Sequence, residues 1–317
     1  MQIPSLSIII CTYNRAGFLA ELLDSLIRQM VVAAQIEIIV IDNNSNDNTA
    51  EVVAHYNQSF PCIRSVFEHR QGLSHARNRG YQEARAPWVA YLDDDARAFP
   101  NYVERILHVI NNYDFDCFGG VYLPWYKFGR PKWYKDHYGS NQYKMKCIGE
   151  LPNHLYMDGG NCVFKKIILE KYNGFKSELG MKGNKLAYGE ETFLQNKLRS
   201  ARYKIGFDPE LLIEHAVVTY KMKVLWFLKS NYANGRDSWD TFDIVPSVRL
   251  IYKHLRHAIL LFFIMIIKNS IQLLRSDYYL QNMIIDTFMP LFYSIGACAH
   301  GIKILKEKNN NKLSKVI

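Results

Sequence analysis

Trp88-Val89-Ala90-Tyr91-Leu92-Asp93-Asp94-Asp95 is an apolar, strand-forming run that stops in three consecutive carboxylates. Such a run belongs in the middle of a sheet, where acids are almost never left unpaired. The carboxylates therefore fall just past the strand's end, at the carboxyl edge of a sheet, where open α/β folds bind ligands. In an extended chain the two-residue side-chain period puts Asp93 and Asp95 on one side and Asp94 on the other. Two carboxylates facing one way repel each other unless a cation lies between them. Hard divalent ions such as Mg²⁺ or Mn²⁺ suit oxygen ligands. The triplet alone leaves one alternative open, a solvated acidic turn with an Asp capping the helix near Pro100.

The residues upstream favour the ligand-binding edge. Leu6 to Cys11 is continuously apolar, as in a strand buried on both faces of a parallel sheet. Phe18, Leu22, Leu23, Leu26 and Ile27 follow at helical spacing, with Glu21 and Asp24 on the other face. A second strand, Ile36 to Ile41, ends at Asp42-Asn43-Asn44-Ser45, a turn and N-cap cluster expected to launch a helix through Val52 and Val53. Ile63 to Phe67 reads as a third strand and Gly72 to Ala84 as a helix. Strand and helix thus alternate four times in the first hundred residues, which predicts a parallel, helix-covered sheet. Its carboxyl edge would carry Thr12, Tyr13, Asn14, Asp42 and the Asp93–Asp95 triplet, a polar and acidic set suited to a nucleoside and a metal. The chain has no Gly-x-Gly-x-x-Gly and no Walker loop. Phosphates would have to be handled by a metal and basic side chains.

The 317 residues allow one large or two modest domains. The six cysteines lie far apart with no Cys-x-x-Cys pair, which argues against a zinc site or disulfide scaffold and fits a reducing cytoplasm. The N-terminus lacks the basic n-region of a signal peptide. A net charge of +9 points to acidic partners, with basic stretches from Trp125 to Lys146 and from Lys303 to Lys315. A helix is expected from Pro100 to Asn112, a strand near Cys117 to Leu123, and an aromatic, lysine-rich loop from Pro124 to Leu151. Met157-Asp158-Gly159-Gly160-Asn161 leads into Cys162-Val163-Phe164. Glu190 and Glu191 open a helix, where the dipole favours acids. Tyr203 to Phe207 reads as a strand, followed by Pro209 and a segment ending at Glu214-His215. Beyond Val218 the composition turns apolar, with a ten-residue run from Ala258 to Ile267 and a second segment from Met283 to Leu305. The run is shorter than the roughly 20 residues that span a bilayer, so a buried or interfacial helix is expected, in contact with a membrane surface or else a plain helical cap on the domain. Lys253, Arg256, Lys268, Arg275, Lys303 and Lys306 flank these segments and would suit an anionic leaflet.

Several of these motifs occur together, in order, in one family. Ser7-Ile8-Ile9-Ile10-Cys11-Thr12-Tyr13-Asn14-Arg15, Val40-Ile41-Asp42-Asn43-Asn44-Ser45, Gly72-Leu73-Ser74-His75-Ala76-Arg77-Asn78 and Leu92-Asp93-Asp94-Asp95 resemble a family 2 glycosyltransferase. The match extends through Gly160-Asn161, Gly174-Phe175, Gly189-Glu190-Glu191, His215 and Gly235-Arg236-Asp237-Ser238. The resemblance covers Ser7 to Ser238 and implies a GT-A fold, with a nucleotide-binding half over 1–97 and an acceptor half over 98–218; the change in composition sets off a C-terminal helical region over 219–317, whose tail beyond Ser238 inherits less from the family. It implies inverting transfer from a nucleotide sugar, with a uridine diphosphate sugar as the default donor and Mn²⁺ or Mg²⁺ as cofactor. It sets Thr12, Tyr13, Asn14, Arg15 and Asp42 around the nucleotide and Arg77 against the base or diphosphate. Asp93 and Asp94 fall on the ribose side, Gly160 and Asn161 at the acceptor or donor sugar. Asp95 would be the principal metal ligand, with Asp93 and His215 beside it. Glu191 matches the catalytic base, although this chain has Glu-Glu where the family usually has Glu-Asp, so Glu190 stays in play. The Gln-x-x-Arg-Trp pattern of processive synthases is missing, which implies transfer of one sugar. The acceptor would be a glycan or lipid-linked molecule of the envelope, met at the cytoplasmic face of the membrane through the C-terminal helices, with no nucleic-acid partner. A sugar-nucleotide pyrophosphorylase would need a Gly-rich basic signature that is absent here. A non-catalytic basic binder would leave the triplet and Glu190-Glu191 unexplained.

Overall fold

A computed structural model describes residues 3–29, 36–141 and 143–313. Met1, Gln2, Gln142 and Lys315, which belong to the N-terminal, aromatic-loop and basic-tail readings, lie outside the described residues. The chain divides into two compact units. The first comprises Met1–Trp125, Asp136–Asn184 and Glu190–Val217, and the second Tyr126–Lys135, Lys185–Gly189 and Val218–Ile317.

In the first unit the elements are β1 (Leu6–Thr12), α1 (Ala16–Ile27), β2 (Ile36–Asp42), α2 (Thr49–Ser59), β3 (Ile63–Phe67), α3 (Leu73–Glu83), β4 (Trp88–Asp93) and β5 (Ala96–Ala98). They continue with α4 (Tyr102–Asn112), β6 (Cys117–Trp125), β7 (Gly149–Glu150), β8 (Asn161–Lys165), α5 (Lys166–Lys171), α6 (Glu190–Ser200) and β9 (Ile205–Ala216). All nine strands join one sheet in the order β3-β2-β1-β4-β8-β6-β9-β5, with β7 on β9. The alternation of strand side chains builds two cores. Ile8, Ile10, Ile38, Val40, Ala90 and Leu92 face Leu19, Leu22, Leu26, Val103 and Ile106 on one side. Ile9, Ile39, Ile41, Val89 and Tyr91 face Ala76, Tyr81, Phe164 and Phe175 on the other. Both faces are covered, which is why β1, β2 and β4 read as unbroken apolar runs.

The expected parallel sheet is found from β3 to β4, where β1 runs parallel to both β2 and β4. Past β4 the sheet is mixed. β8 lies antiparallel between β4 and β6, and β5 and β7 lie antiparallel to β9. Strand direction leaves no trace in a buried apolar pattern, so the sequence carried no warning of this. The strand expected at Tyr203 to Phe207 is also longer, running on to Ala216. Pro209 is tolerated because the β6–β9 register jumps there: Gly119 pairs with Phe207 and Val121 with Leu212, leaving Pro209 in the irregular stretch.

β5 was not expected, and it matters most. Only Asp94 and Asp95 separate it from β4, yet β5 pairs with β9 at the far end of the strand order, Ala96 opposite His215. The Ala216 amide donates to the Asp95 carbonyl at 2.9 Å. The sheet's last edge therefore returns to the end of its central strand.

In the second unit, α7 (Val224–Thr241), α8 (Val248–Gln272) and α9 (Leu280–Leu313) pack together. The Trp239 indole donates to the Ala297 carbonyl at 2.7 Å, and the Asn269 amide to the Thr287 hydroxyl at 3.0 Å. The ten-residue apolar run lies within a much longer helix than its own length implied. α8 and the Leu280–Lys308 part of α9 are each long and apolar enough to cross a bilayer. Toward α9, α8 buries Ile251, Ala258 and Asn269, while Leu260, Phe263 and Ile267 are 60%, 60% and 66% exposed.

Close packing of α3 on β1 makes a stability test. A Cβ at Gly80 would overlap the Cγ2 of fully buried Ile9, whereas one at Gly17, on exposed helix, meets nothing within 4 Å. Gly80→Ala should cost about 1–3 kcal/mol by overpacking. Gly17→Ala should be neutral or stabilising by up to about 1 kcal/mol. Urea denaturation of both variants checks the contrast.

Candidate active site

Register assembles the edge. Thr12 pairs with Asp42, and Cys11 with Asp93, so three strand ends deliver their polar residues side by side. After β1 the chain turns through Asn14, whose φ of 54° is a left-handed conformation that asparagine tolerates. Its backbone N–H donates to the Ser45 hydroxyl at 3.0 Å, and its side-chain oxygen accepts the Asn46 amide at 2.8 Å. Tyr13 is half-buried in the same turn. Asp42 is buried, and one of its oxygens accepts the Ser45 amide at 2.8 Å. It closes a local turn and does not cap α2, which starts seven residues later at Thr49. Asn43, read earlier only as a turn residue, is the brace of this edge. Its amide donates to the Glu68 and Arg70 carbonyls at 3.0 and 2.8 Å, and its oxygen accepts the Gly72 N–H at 2.8 Å. Glu68 grips Arg70 through two 2.9 Å bonds, and these hold its carboxyl down at about 2.

The triplet is held by charge. Arg15 spans Asp94 and Asp95 at 2.9 and 2.6 Å. Burial pushes the Asp94 carboxyl up to about 6; Arg15 pulls against that and Asp95 adds to it. His215 brings Nε2 to 3.0 Å from Asp95 and 3.9 Å from Asp93. One ligand atom from each of Asp93, Asp95 and His215 lies within 4.8 Å of the others. Two carboxylates and an imidazole are a donor set for a hard or borderline divalent ion such as Mn²⁺ or Mg²⁺, and the three residues could hold one. Tyr122, which the sequence reading did not single out, donates its hydroxyl to Asp93 at 3.0 Å and stacks on His215 at 5.1 Å and 22°. The backbone at Gly160 passes so close to Asp93 that any Cβ there would overlap its carboxylate, and Gly159 stands in the same way to Arg77.

Arg77 lies under this edge, almost wholly buried. It pairs with Glu190 at 2.6 Å, approaches Asp93 at 3.9 Å and sits 5.3 Å from the Phe175 ring centre. Burial alone would lower its pKa, but Glu190 and Asp93 outweigh burial and raise it. Its guanidinium is engaged inside the protein by Glu190. Glu190 is buried in that pair, while Glu191 on the same first turn of α6 is half-buried. Burial, then the charge of Glu190, push the Glu191 carboxyl well above the usual carboxylate range, with Arg77 opposing. Asn161 is fully buried: its amide donates to the Val121 and Leu211 carbonyls, and its oxygen accepts the Tyr102 hydroxyl. Its side chain braces the sheet. Asp158 is half-buried nearby and bonded by the Asn141 amide; burial and Asp93 push its carboxyl up to about 6.

A mixed, helix-covered sheet of this strand order has a GT-A-like architecture. Residues 7–172, just over half the chain, match the profile of "Glycosyl transferase family 2". The chain belongs to that family. Validoxylamine A glucosyltransferase of Streptomyces hygroscopicus subsp. jinggangensis is 39% identical over 108 residues, 33% of this chain and 25% of its own. The chain thus spans only about a quarter of that relative. Glucosyl-dolichyl phosphate glucuronosyltransferase of Haloferax volcanii is 22% identical over 241 residues, 72% of this chain and 74% of its own. Among solved structures, the mannosyltransferase PcManGT from Pyrobaculum calidifontis, in complex with GDP-Man and Mn²⁺, has a TM-score of 0.65 at 17% identity. That superposition covers 95% of this chain and 88% of the other. Residues 1–349 of S. aureus TarS, in complex with UDP-GlcNAc, give 0.55 at 14% identity, covering 96% and 92%.

The buried Arg77–Glu190 pair has a measurable consequence. Arg77→Met strands a buried carboxylate and should cost about 3–5 kcal/mol of stability. Arg77→Met combined with Glu190→Met should recover much of that loss, as read from thermal melts of the two variants.

Proposed function

We propose that this chain is an inverting, metal-assisted glycosyltransferase. It moves a single sugar from a nucleotide sugar, a uridine diphosphate sugar in the first instance, to a glycan or lipid-linked acceptor in envelope biosynthesis. The observation that carries this reading is the convergence of Asp93, Asp95 and His215 next to the Thr12–Asp42 edge in a family 2 chain. The solved neighbours support it, since one holds GDP-Man with Mn²⁺ and another UDP-GlcNAc.

In this reading Asp42, with one oxygen spent on Ser45, uses the other to accept the imide N–H of the base. Thr12, Tyr13 and Asn14 form the wall around it. Asp95, His215 and Asp93 hold the cation, which when bound offsets the charge of the departing diphosphate as a Lewis acid. Arg15 is positioned at Asp94 and Asp95 to meet the same phosphates. Asp158 and the backbone at Gly160 border the sugar. Glu191 takes the proton from the acceptor hydroxyl as that oxygen attacks the anomeric carbon, and the bond to the diphosphate oxygen breaks on the opposite face. Glu190 is engaged by Arg77, so the base is Glu191. A raised pKa makes Glu191 a stronger base than an ordinary carboxylate.

The exposed apolar face of α8, Leu260, Phe263 and Ile267, with Arg256 and Lys268 beside it, supports peripheral contact with an anionic leaflet at the cytoplasmic side.

Glu191→Gln should lower kcat for nucleoside diphosphate release by about 10²- to 10⁴-fold while the donor KM stays within a few-fold. NMR of the product should show an inverted anomeric centre. The wild-type rate should fall as pH drops through the raised Glu191 pKa, on a limb above the ordinary carboxylate range. Glu190→Gln removes the charge that raises Glu191 and should shift that limb to lower pH, as a rate–pH profile will read. Finally, the protein should float with phosphatidylglycerol vesicles and not with phosphatidylcholine vesicles, and Phe263→Asp with Ile267→Asp should abolish flotation.

A further inference from the structure

The three residues of the cation cluster are restrained very unequally. Asp95 is almost wholly buried, bonded by Arg15 at 2.6 Å, and its backbone carbonyl accepts the Ala216 amide. Asp93 is looser. Its side chain is 32% exposed, and Arg77 and His215 both stand 3.9 Å away. Its short side-chain contact among the described residues is the 3.0 Å bond from the Tyr122 hydroxyl. His215 sits on β9, and in the strand order β8 and β6 stand between β9 and the strand that ends in Asp93.

Tyr122 comes from β6, one of the two strands between, and reaches both. Its register partner on β9 is Ile213, two residues before His215, so Tyr122 and His215 are diagonal neighbours on one face. The ring lies nearly parallel to the imidazole, at 5.1 Å and 22°, while the hydroxyl at its far end bonds Asp93. Tyr122 is itself pinned. Its backbone N–H donates to the Asn141 side-chain oxygen at 2.6 Å, and the Asn141 amide donates to Asp158. One rigid side chain thus touches two of the three candidate ligands and ties their strand ends together.

We propose that Tyr122 is the positioning residue of the cation site: its hydroxyl aims the Asp93 carboxylate and its ring fixes the plane of His215. The proposal rests on the metal-assisted reading above. Outer groups that orient metal ligands typically contribute 10- to 100-fold to metal affinity.

The test is a Mn²⁺ titration of the full chain with UDP present, following free and bound ion by electron paramagnetic resonance. Tyr122→Phe keeps the ring stack and loses the bond to Asp93, and it should weaken Mn²⁺ binding about tenfold. Tyr122→Leu loses both and should weaken it toward about 100-fold. Thermal melts should show Tyr122→Phe folded like the wild type. A wild-type affinity for Mn²⁺ in Tyr122→Phe overturns the positioning role and leaves the metal reading intact. A wild-type chain that binds no Mn²⁺ overturns both.

Discussion

Six carboxyl groups converge on one edge of one sheet, and the rest of the structure depends on how they are held there. Asp93, Asp94, Asp95, Asp158, Glu190 and Glu191 gather there, against the guanidiniums of Arg15 and Arg77 and the imidazole of His215. Carboxylates that close repel, and burial makes their charged forms costlier still. The upward shifts of Asp94, Asp158 and Glu191 are the signature of that cost. Pairing absorbs part of it: Arg77 takes Glu190 from below, and Arg15 takes Asp94 and Asp95 from the first turn. Within this set Asp93, Asp95 and His215 lie in reach of one another, an arrangement that a divalent cation would complete.

The fold exists in the form it does to bring those groups together. Parallel pairing of β2, β1 and β4 supplies the Thr12–Asp42–Asp93 side. The antiparallel return of β8 threads Gly160 past the Asp93 carboxylate, where no side chain fits. β5 then carries the chain from the triplet straight to β9, and His215 arrives opposite Ala96. Tyr122 links the two sides from one of the two strands between them.

Much of this was legible in the residues. The apolar runs, the helical spacing between them and the abrupt Asp93–Asp95 stop were enough for the α/β sheet and for the edge where its carboxylates fall, because burial on both faces imposes that pattern. Asp42, Asp95 and His215 were picked out from motifs, and they do lie on that edge. What could not be read was whatever depends on pairing across the chain. Strand direction past β4, the three-residue β5 and the register jump around Pro209 leave no periodic signal. The partners of Arg77 and Asn161 were hidden too, because nothing local tells a buried guanidinium from an exposed one, or shows that the Asn161 amide bonds two carbonyls. Tyr122 had no signal, being a tyrosine in an apolar strand, and Asn43 showed its place in a turn but not the bonds that make it a brace. The ten-residue apolar run understated α8, since the flanking residues that complete a 25-residue helix are only intermittently apolar.

The central claim is that this edge binds a nucleotide diphosphate through a cation held by Asp95. Calorimetric titration of UDP, with GDP beside it, in Mn²⁺ and then in EDTA tests it most directly. The account predicts Mn²⁺-dependent binding of one of the two nucleotides, lost in EDTA and lost in Asp95→Ala. Binding of equal strength in EDTA, or undiminished binding by Asp95→Ala, would contradict it.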